Sequence, residues 1–86
     1  MATKTFRDFP RITVDPAVMT GKSCIRGMRV TVGMILGEIE AGTSIEELLA
    51  DYPYIERDDI LEALRFGSWL ARYRELDLAK SALRSS

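Results

Sequence analysis

The chain contains no histidine and a single cysteine among its 86 residues, and these two scarcities exclude much of enzyme chemistry. Without histidine there can be no Ser–His or Cys–His nucleophilic pair and no histidine-ligated zinc. One cysteine, Cys24, excludes an internal disulfide and a cysteine-rich zinc site. Cys24 also stands in a short apolar run, which favours a buried structural side chain over a reactive thiol.

Long apolar runs are also missing. No run approaches the roughly 18 residues of a membrane span, and the first nine residues lack the apolar stretch of a signal peptide. We therefore expect a cytoplasmic protein with no membrane partner. Apolar residues make up 47% of the chain, which is ample for the core of one domain. A domain this small has a thin stability margin unless it dimerises or binds a partner.

The net charge of −1 conceals a strong segregation of charge along the chain. Residues 1–30 carry a net charge of +4, residues 31–62 carry −8, and residues 63–86 carry +3. A partner responds to such local fields rather than to the total charge. A basic segment beside an acidic helical region indicates a small regulator that contacts a polyanion.

The first thirty residues predict a basic arm and a small β element. Residues 1–11 have the pattern of a flexible arm, and residues 12–14 predict a minimal strand. Residues 24–25 and 28–30 predict further strand pairing around a tight turn, in which Gly27 takes a positive φ. We expect two or three strands with an exposed edge, marginally stable on their own.

Beyond Thr31 the apolar pattern changes to a helical period. Thr31 is a plausible N-cap for a first helix that stops near Gly42. Ser44 and Glu47 have the spacing of a capping box, which predicts a second helix that Tyr52-Pro53 ends.

The third predicted helix runs from about Arg57 to beyond Leu76 and completes a three-helix outline. Two short helices joined by a tight turn and followed by a third are typical of helix-turn-helix domains. The predicted fold is therefore mainly α. A single domain over residues 12–76 consists of the small β element followed by three helices in a helix-turn-helix arrangement. Residues 77–86 are predicted to form a frayed helical tail. A three-helix bundle with no nucleic-acid role is also compatible with the pattern.

The third helix carries two apolar stripes. The first is predicted to face the other helices and consists of Ile60, Ala63, Leu64 and Gly67. The second has coiled-coil-like spacing and consists of Phe66, Trp69, Tyr73, Leu76 and Leu83. So small a domain has little core left for a second stripe, which favours a partner surface. The alternative is that both stripes close one core.

A series of short motifs resembles one known family in order and spacing. The motifs are Asp15-Pro16, Gly21-Lys22, Ile25-Arg26-Gly27, Arg29-Val30, Gly42-Thr43-Ser44, Glu46-Glu47-Leu48-Leu49, Asp51-Tyr52-Pro53, Asp59-Ile60 and Ala63-Leu64. Over about residues 12–67 the chain resembles the family called domain of unknown function 433, whose members are regarded as antitoxins of type II toxin–antitoxin pairs. The resemblance implies a winged or homeodomain-like helix-turn-helix fold, often a homodimer. It also implies two partners, a PIN-like toxin nuclease encoded alongside and operator DNA.

Three positions depart from the family's usual pattern. Ser23 and Met28 stand where proline and threonine are usual, and Glu56 stands where a serine or threonine commonly caps the third helix. Losing that cap is expected to cost about 1 kcal/mol, which the acids that follow partly offset through the helix dipole.

The candidate DNA-binding residues lie in the basic segment. They are Arg26 and Arg29, supported by Lys22 and Arg11. A turn that carries two arginines beside backbone amides can grip phosphates. The third helix begins with carboxylates, which phosphate would repel, so we expect the β element rather than that helix to contact DNA. The alternative is that Arg29 braces the acidic helices through a salt bridge while Arg26 is solvated.

The candidate toxin-binding residues lie on the third helix. They are Arg65, Phe66, Trp69, Arg72, Tyr73 and Arg74. Aromatic residues and arginine are the usual anchors of protein interfaces. The family resemblance adds that PIN-like nucleases gather carboxylates around metal ions, where a guanidinium could pair bidentately and displace the metal. The alternative is an ordinary solvated helix face.

The function expected from these features is that of an antitoxin. It would neutralise a PIN-like ribonuclease by direct binding and regulate its own operon through DNA, with no catalysis, metal or cofactor of its own. The best catalytic candidate is a metal cluster of Asp58, Asp59 and Glu62, but acids at this position usually stabilise a helix start. Two alternatives are a stand-alone helix-turn-helix regulator and a DNA-independent interaction or dimerisation module.

Overall fold

A computed structural model describes the backbone of residues 4–85 and the side chains of residues 4–73. The elements in chain order are β1 (Lys4–Phe6), β2 (Phe9–Val14), a short 3-10 turn (Met19–Gly21), β3 (Ser23–Ile25), α1 (Val32–Glu40), α2 (Ile45–Asp51) and α3 (Arg57–Ser85). The prediction of three helices with a small N-terminal β element is confirmed. Within the described chain, no helix combines the length and the apolar character needed to cross a membrane.

The three strands form one antiparallel sheet in the order β1-β2-β3. Ile12 pairs with Ile25 and Val14 pairs with Ser23 across the second ladder. Residues 28–30 form no strand of their own, but the chain does pair back around the predicted tight turn. The Ile25 amide donates to the Val30 carbonyl over 2.9 Å, and Cys24 and Thr31 form an antiparallel bridge. Gly27 has the expected positive φ of 74°.

The flexible arm predicted for residues 1–11 is corrected by the structure over residues 4–11. These residues form β1, a turn and the start of β2. The reason is aromatic packing, because the rings of Phe6 and Phe9 lie 4.9 and 5.1 Å from the ring of Phe66 on α3. That contact spans most of the chain, so local sequence patterns could not reveal it. Residues 1–3 lie outside the described part.

The helix starts follow the predicted capping chemistry. The Thr31 hydroxyl accepts from the Met34 amide over 3.0 Å at the start of α1. Ser44 and Glu47 form the predicted reciprocal capping box at the start of α2. At α3 the Asp59 carboxylate accepts from the amide of Glu56 over 2.8 Å. Asp59 thereby supplies the acidic half of a capping box, although Glu56 replaces the usual serine or threonine.

The third helix continues without a break to Ser85, so no boundary marks the predicted start of a tail at residue 77. It packs against the other elements through buried residues up to Phe66, and through Trp69 against the rings of Phe6 and Phe9. A methyl group at Gly67 would stand 2.7 Å from Cδ1 of Leu36, so glycine permits the close approach of α1 to α3.

The hydrophobic core lies between the sheet and the three helices. Its buried members are Ile12, Ile25, Val30, Val32, Ile35, Leu48, Ile55, Ile60, Ala63 and Phe66. Ile60 and Ala63 confirm the predicted inward stripe of α3. The second stripe divides, because Phe66 is 1% exposed whereas Trp69 is 43% and Tyr73 62% exposed. Leu76 and Leu83 lie among the residues whose side chains are not described.

Candidate functional site

A buried carboxylate joins the sheet to the start of α3. Asp59 is fully buried and accepts from Nε and Nη2 of Arg26 over 3.0 and 2.8 Å. It also accepts from Nη1 of Arg11 over 2.8 Å and from the Glu56 amide over 2.8 Å. Glu56 accepts a further bond from Arg11 over 2.8 Å. We call these four residues the arginine–aspartate cluster.

The contacts within the cluster favour the ionised forms of Asp59, Arg26 and Arg11. Burial by itself raises the pKa of Asp59, but the hydrogen bonds from Arg26, the Glu56 amide and Arg11 outweigh it and lower that pKa to about 2. The bond to Asp59 raises the pKa of Arg26, and the bonds to Glu56 and Asp59 raise the pKa of Arg11. At neutral pH these charged groups therefore hold the sheet against the start of α3.

The arginine–aspartate cluster includes two of the candidate DNA-binding residues, Arg11 and Arg26, and binds their guanidinium groups to carboxylates. Arg11 and Arg26 both point to carboxylates, and Arg26 also donates to the carbonyl of Tyr54 over 3.1 Å. Arg26 is therefore not merely solvated, and it, rather than Arg29, provides the bracing salt bridge. Lys22 and Arg29 are exposed and form no ion pair with any residue whose side chain the structure describes. The bonds of Asp59 span 33 and 48 residues, which is why local patterns missed them.

Two of the three acids in the candidate metal cluster are paired with cations, and the third, Asp58, is exposed and lies 3.8 Å from Arg11. Asp59 is bound as above, and Glu62 accepts from the Arg11 amide and pairs with Arg65 over 3.5 Å. Among the residues with described side chains, no group of three or more acids or cysteines is arranged to hold a metal ion.

Aromatic side chains form a second assembly, which runs from the core to the surface. The Phe66 ring lies 5.7 Å from Trp69, and Trp69 stacks on Tyr73 with ring centres 6.0 Å apart and planes at 16°. Phe6 and Phe9 approach the same tryptophan from the hairpin, at 6.5 and 5.7 Å. We call the four residues outside the buried core, Phe6, Phe9, Trp69 and Tyr73, the aromatic surface. Exposure rises from the buried Phe66 through Trp69 to Tyr73.

Two exposed arginines lie on the same side of α3 as the aromatic surface. Arg65 precedes Trp69 by four residues and Arg72 follows it by three, spacings that share one helix face. Arg72 donates to the Ser68 hydroxyl over 3.2 Å. The structure thus brings together Arg65, Trp69, Arg72 and Tyr73 of the predicted toxin-binding set. Phe66 belongs to the core instead, because the β1–β2 hairpin covers it, and the side chain of Arg74 lies outside the described part.

Sequence reasoning missed Phe6 and Phe9 as members of this surface. Two aromatic residues three positions apart in an otherwise polar basic segment were the available signal. Their separation by a turn at residues 7–8 is typical of a hairpin that presents both rings to one layer.

An apolar groove of about 630 Å³ lies on another part of α3, against the start of α1. Its walls include Met34 and Leu70, each 39% exposed, together with Leu36. Its polar lining residues are Lys22, Ser23 and Thr31. The groove can accept apolar side chains beside these polar groups.

The fold is that of a small α-and-β domain with a long C-terminal helix. The profile of the family described as "Protein of unknown function (DUF433)" matches residues 12–67. This chain therefore belongs to that family, as the short motifs predicted.

A solved structure supports the same assignment. The crystal structure of a DUF433 member protein from Anabaena variabilis is 26% identical and superposes with a TM-score of 0.69. The similarity covers 80% of this chain and 68% of that one. No curated protein matches the chain.

Proposed function

We propose that this protein is an antitoxin of a type II toxin–antitoxin pair that binds and neutralises a cognate PIN-like ribonuclease. The observation that carries the proposal is the exposed face of α3, where Trp69 and Tyr73 stack beside Arg65 and Arg72. Tryptophan, tyrosine and arginine are the residues that most often anchor protein interfaces. Their exposure on a domain of this size favours a binding role over a purely structural one.

The proposed mechanism uses the two parts of this face differently. The aromatic rings lose exposed apolar area on binding and supply affinity. Arg65 or Arg72 reaches the carboxylates that surround the metal ions of the nuclease and pairs with them bidentately. Since those carboxylates would hold the metal, pairing them with guanidinium would remove the Lewis acid that activates the RNA phosphate in the toxin.

The experiment is co-expression of this chain with the product of the adjacent open reading frame. We expect both proteins to co-elute in size-exclusion chromatography and the antitoxin to rescue growth that the toxin arrests. The variants Tyr73→Ala and Arg72→Glu should weaken binding at least tenfold. Arg57→Glu is the matched control, because Arg57 is equally exposed on α3 but lies about 18 Å along the helix from Trp69. A neighbour that is harmless and does not co-elute would contradict the antitoxin function.

A second proposed activity is autoregulation through operator DNA, with α1 to α3 interpreted as a helix-turn-helix domain. It is favoured by Lys22 and Arg29, exposed cations near the turn at Gly27 that lack ion pairs with the described side chains. The start of α3 carries exposed Glu56 and Asp58, which disfavours its insertion into a groove. We therefore assign the phosphate contacts to the β element, as a homodimer in which two such elements face the duplex.

Fluorescence anisotropy with the upstream DNA at two salt concentrations tests this activity. Arg29→Ala should weaken binding and reduce the salt dependence, because each lost phosphate contact removes about one released counterion. Arg26→Ala should act mainly through stability, since its guanidinium is bound to Asp59. DNA binding that is unchanged in Arg29→Ala and Lys22→Ala would contradict the assignment. Toxin binding without any DNA binding would favour the DNA-independent interaction module.

A further inference from the structure

We propose that the β1–β2 hairpin and residues 68–73 of α3 together form a specificity surface, which selects the cognate toxin by fitting an acidic patch on it. The proposal rests on the antitoxin function proposed above. It adds that the hairpin contacts the toxin. It also adds that the residues on either side of the family-matched segment 12–67 decide which toxin is bound.

The first observation concerns where the aromatic surface lies in the sequence. Phe6 and Phe9 precede the matched segment 12–67, and Trp69 and Tyr73 follow it. These two flanks are brought together in space, because the Trp69 ring contacts Phe6, Phe9 and Tyr73. The buried core, by contrast, lies entirely within residues 12–67.

This division separates folding from recognition. Residues within the shared segment must keep the core packed, so changes there cost stability. The exposed flank residues Arg7, Trp69 and Tyr73 carry no such constraint and can change with little cost in stability, whereas Phe6 and Phe9 also pack on the core. Discrimination between similar partners requires contacts of this kind, which can change without harm to the fold.

The second observation is the charge of the surface. Its exposed charged residues within 4–10 and 68–73 are Lys4, Arg7, Asp8 and Arg72, three cations against one acid. Such a surface is complementary to an acidic protein patch. It disfavours a symmetric dimer through the same face, because the cations of two copies would oppose one another.

The test uses the wild-type chain and the toxin obtained by co-expression. Arg7→Glu changes an exposed residue in the hairpin turn, between Phe6 and Phe9. We expect it to weaken toxin binding at least tenfold in calorimetric titration, whereas Arg57→Glu, with the same change in net charge, should weaken it less than threefold. Thermal unfolding followed by circular dichroism confirms that both variants fold.

The outcomes separate the two proposals. If the wild type binds the toxin but Arg7→Glu binds it as tightly, the specificity surface is wrong and the antitoxin function stands. An equal loss in Arg7→Glu and Arg57→Glu also overturns the specificity surface, because net charge would then explain both. If the wild type does not bind the toxin, the antitoxin function fails and the specificity surface fails with it.

Hydrogen exchange on the unmodified complex gives a readout that needs no variant. Toxin binding should slow exchange of the amides of residues 4–9 together with those of residues 69–73. Protection confined to α3 would overturn the role of the hairpin. The same measurement on the free protein over a range of concentrations tests for self-association. If both segments become protected without toxin, a second copy of this chain occupies the surface and the proposal is overturned.

Discussion

At the residue scale, the behaviour of this domain depends strongly on Asp59. Leaving a carboxylate uncompensated in a protein interior costs several kcal/mol, and Asp59 avoids this cost through two arginines and a backbone amide. Arg26 reaches it from a left-handed backbone conformation with φ of 44°, which is unusual for a residue other than glycine. The ion pair offsets the strain of that turn. One side chain thus caps α3, fixes the turn and holds β2.

The substitution Asp59→Asn tests this description. It removes the charge but keeps the shape, so both arginines lose their common partner, and we expect a loss of about 3 kcal/mol in the free energy of unfolding. Urea denaturation measures it. The matched control is Asp58→Asn next to it, because Asp58 is exposed and approaches Arg11 only to 3.8 Å. That control should change stability by less than about 0.5 kcal/mol. Equal effects of the two substitutions would contradict a special role for Asp59.

At the element scale, two helical glycines have opposite roles. Nothing lies within 4 Å of a methyl group placed at Gly37 on α1. The only effect of glycine at this position is therefore to raise the backbone entropy of the unfolded state, which lowers stability. At Gly67 on α3 the same methyl group meets Leu36. The close packing of α1 on α3 therefore depends on one glycine and not on the other.

Substitutions at these two glycines should have opposite signs. Gly37→Ala is expected to stabilise the protein by about 1 kcal/mol through helix propensity. Gly67→Leu is expected to destabilise it by about 1–3 kcal/mol, since the larger side chain must displace Leu36 and separate the two helices. Thermal unfolding of both variants beside the wild type measures the difference. A stabilising Gly67→Leu would show that the packing of α1 on α3 is looser than described.

At the scale of the whole molecule, the segregated charge serves two purposes. Part of the basic N-terminal segment is used inside the molecule, where Arg11 and Arg26 neutralise acids at the start of α3. Other cations, among them Arg29 in that segment and Arg72 on α3, face outward and are the part that partners can meet. The net charge of a segment therefore overstates the field that it presents to solvent.

The stability of the whole domain should fall in acid over a defined window. The ordinary pKa of Asp59 is 3.8 and its pKa in the folded protein is about 2. The unfolded chain therefore takes up a proton on this carboxyl first, and the stabilisation present at neutral pH is lost as the pH falls from about 4 to about 2. Unfolding free energies at several pH values should show a decrease of about 2 kcal/mol from this residue. Asp59→Asn should lack this component, and a parallel decrease in the variant would contradict the assignment.

Local sequence patterns predicted much of the fold. The caps at Thr31 and Ser44, the start of α3 and the positive φ of Gly27 all depend on residues close in the chain, and the structure has each of them. The hairpin of residues 4–14 was predicted only in its last three residues. Its formation depends on rings of α3 that a local pattern cannot show to be near.

For the same reason, only the part of the candidate site that lies on α3 was predicted. The spacing of Arg65, Trp69 and Tyr73 shows a shared helix face directly, because a helix converts spacing into position. Nothing local shows that Phe6 and Phe9 join that face, or that Arg26 is bound to Asp59.

The amino-acid sequence by itself determined the family, the three helices with their caps, and the cationic aromatic face of α3. Each of these depends on residue type and short-range spacing, which backbone geometry translates into structure. Only the tertiary structure decided that the N-terminal residues pack as a hairpin on α3. It alone decided that Arg11 and Arg26 bind Asp59 and that Phe66 is core while Trp69 and Tyr73 are exposed. These outcomes depend on contacts between residues more than thirty positions apart, and such contacts form only when the chain has folded.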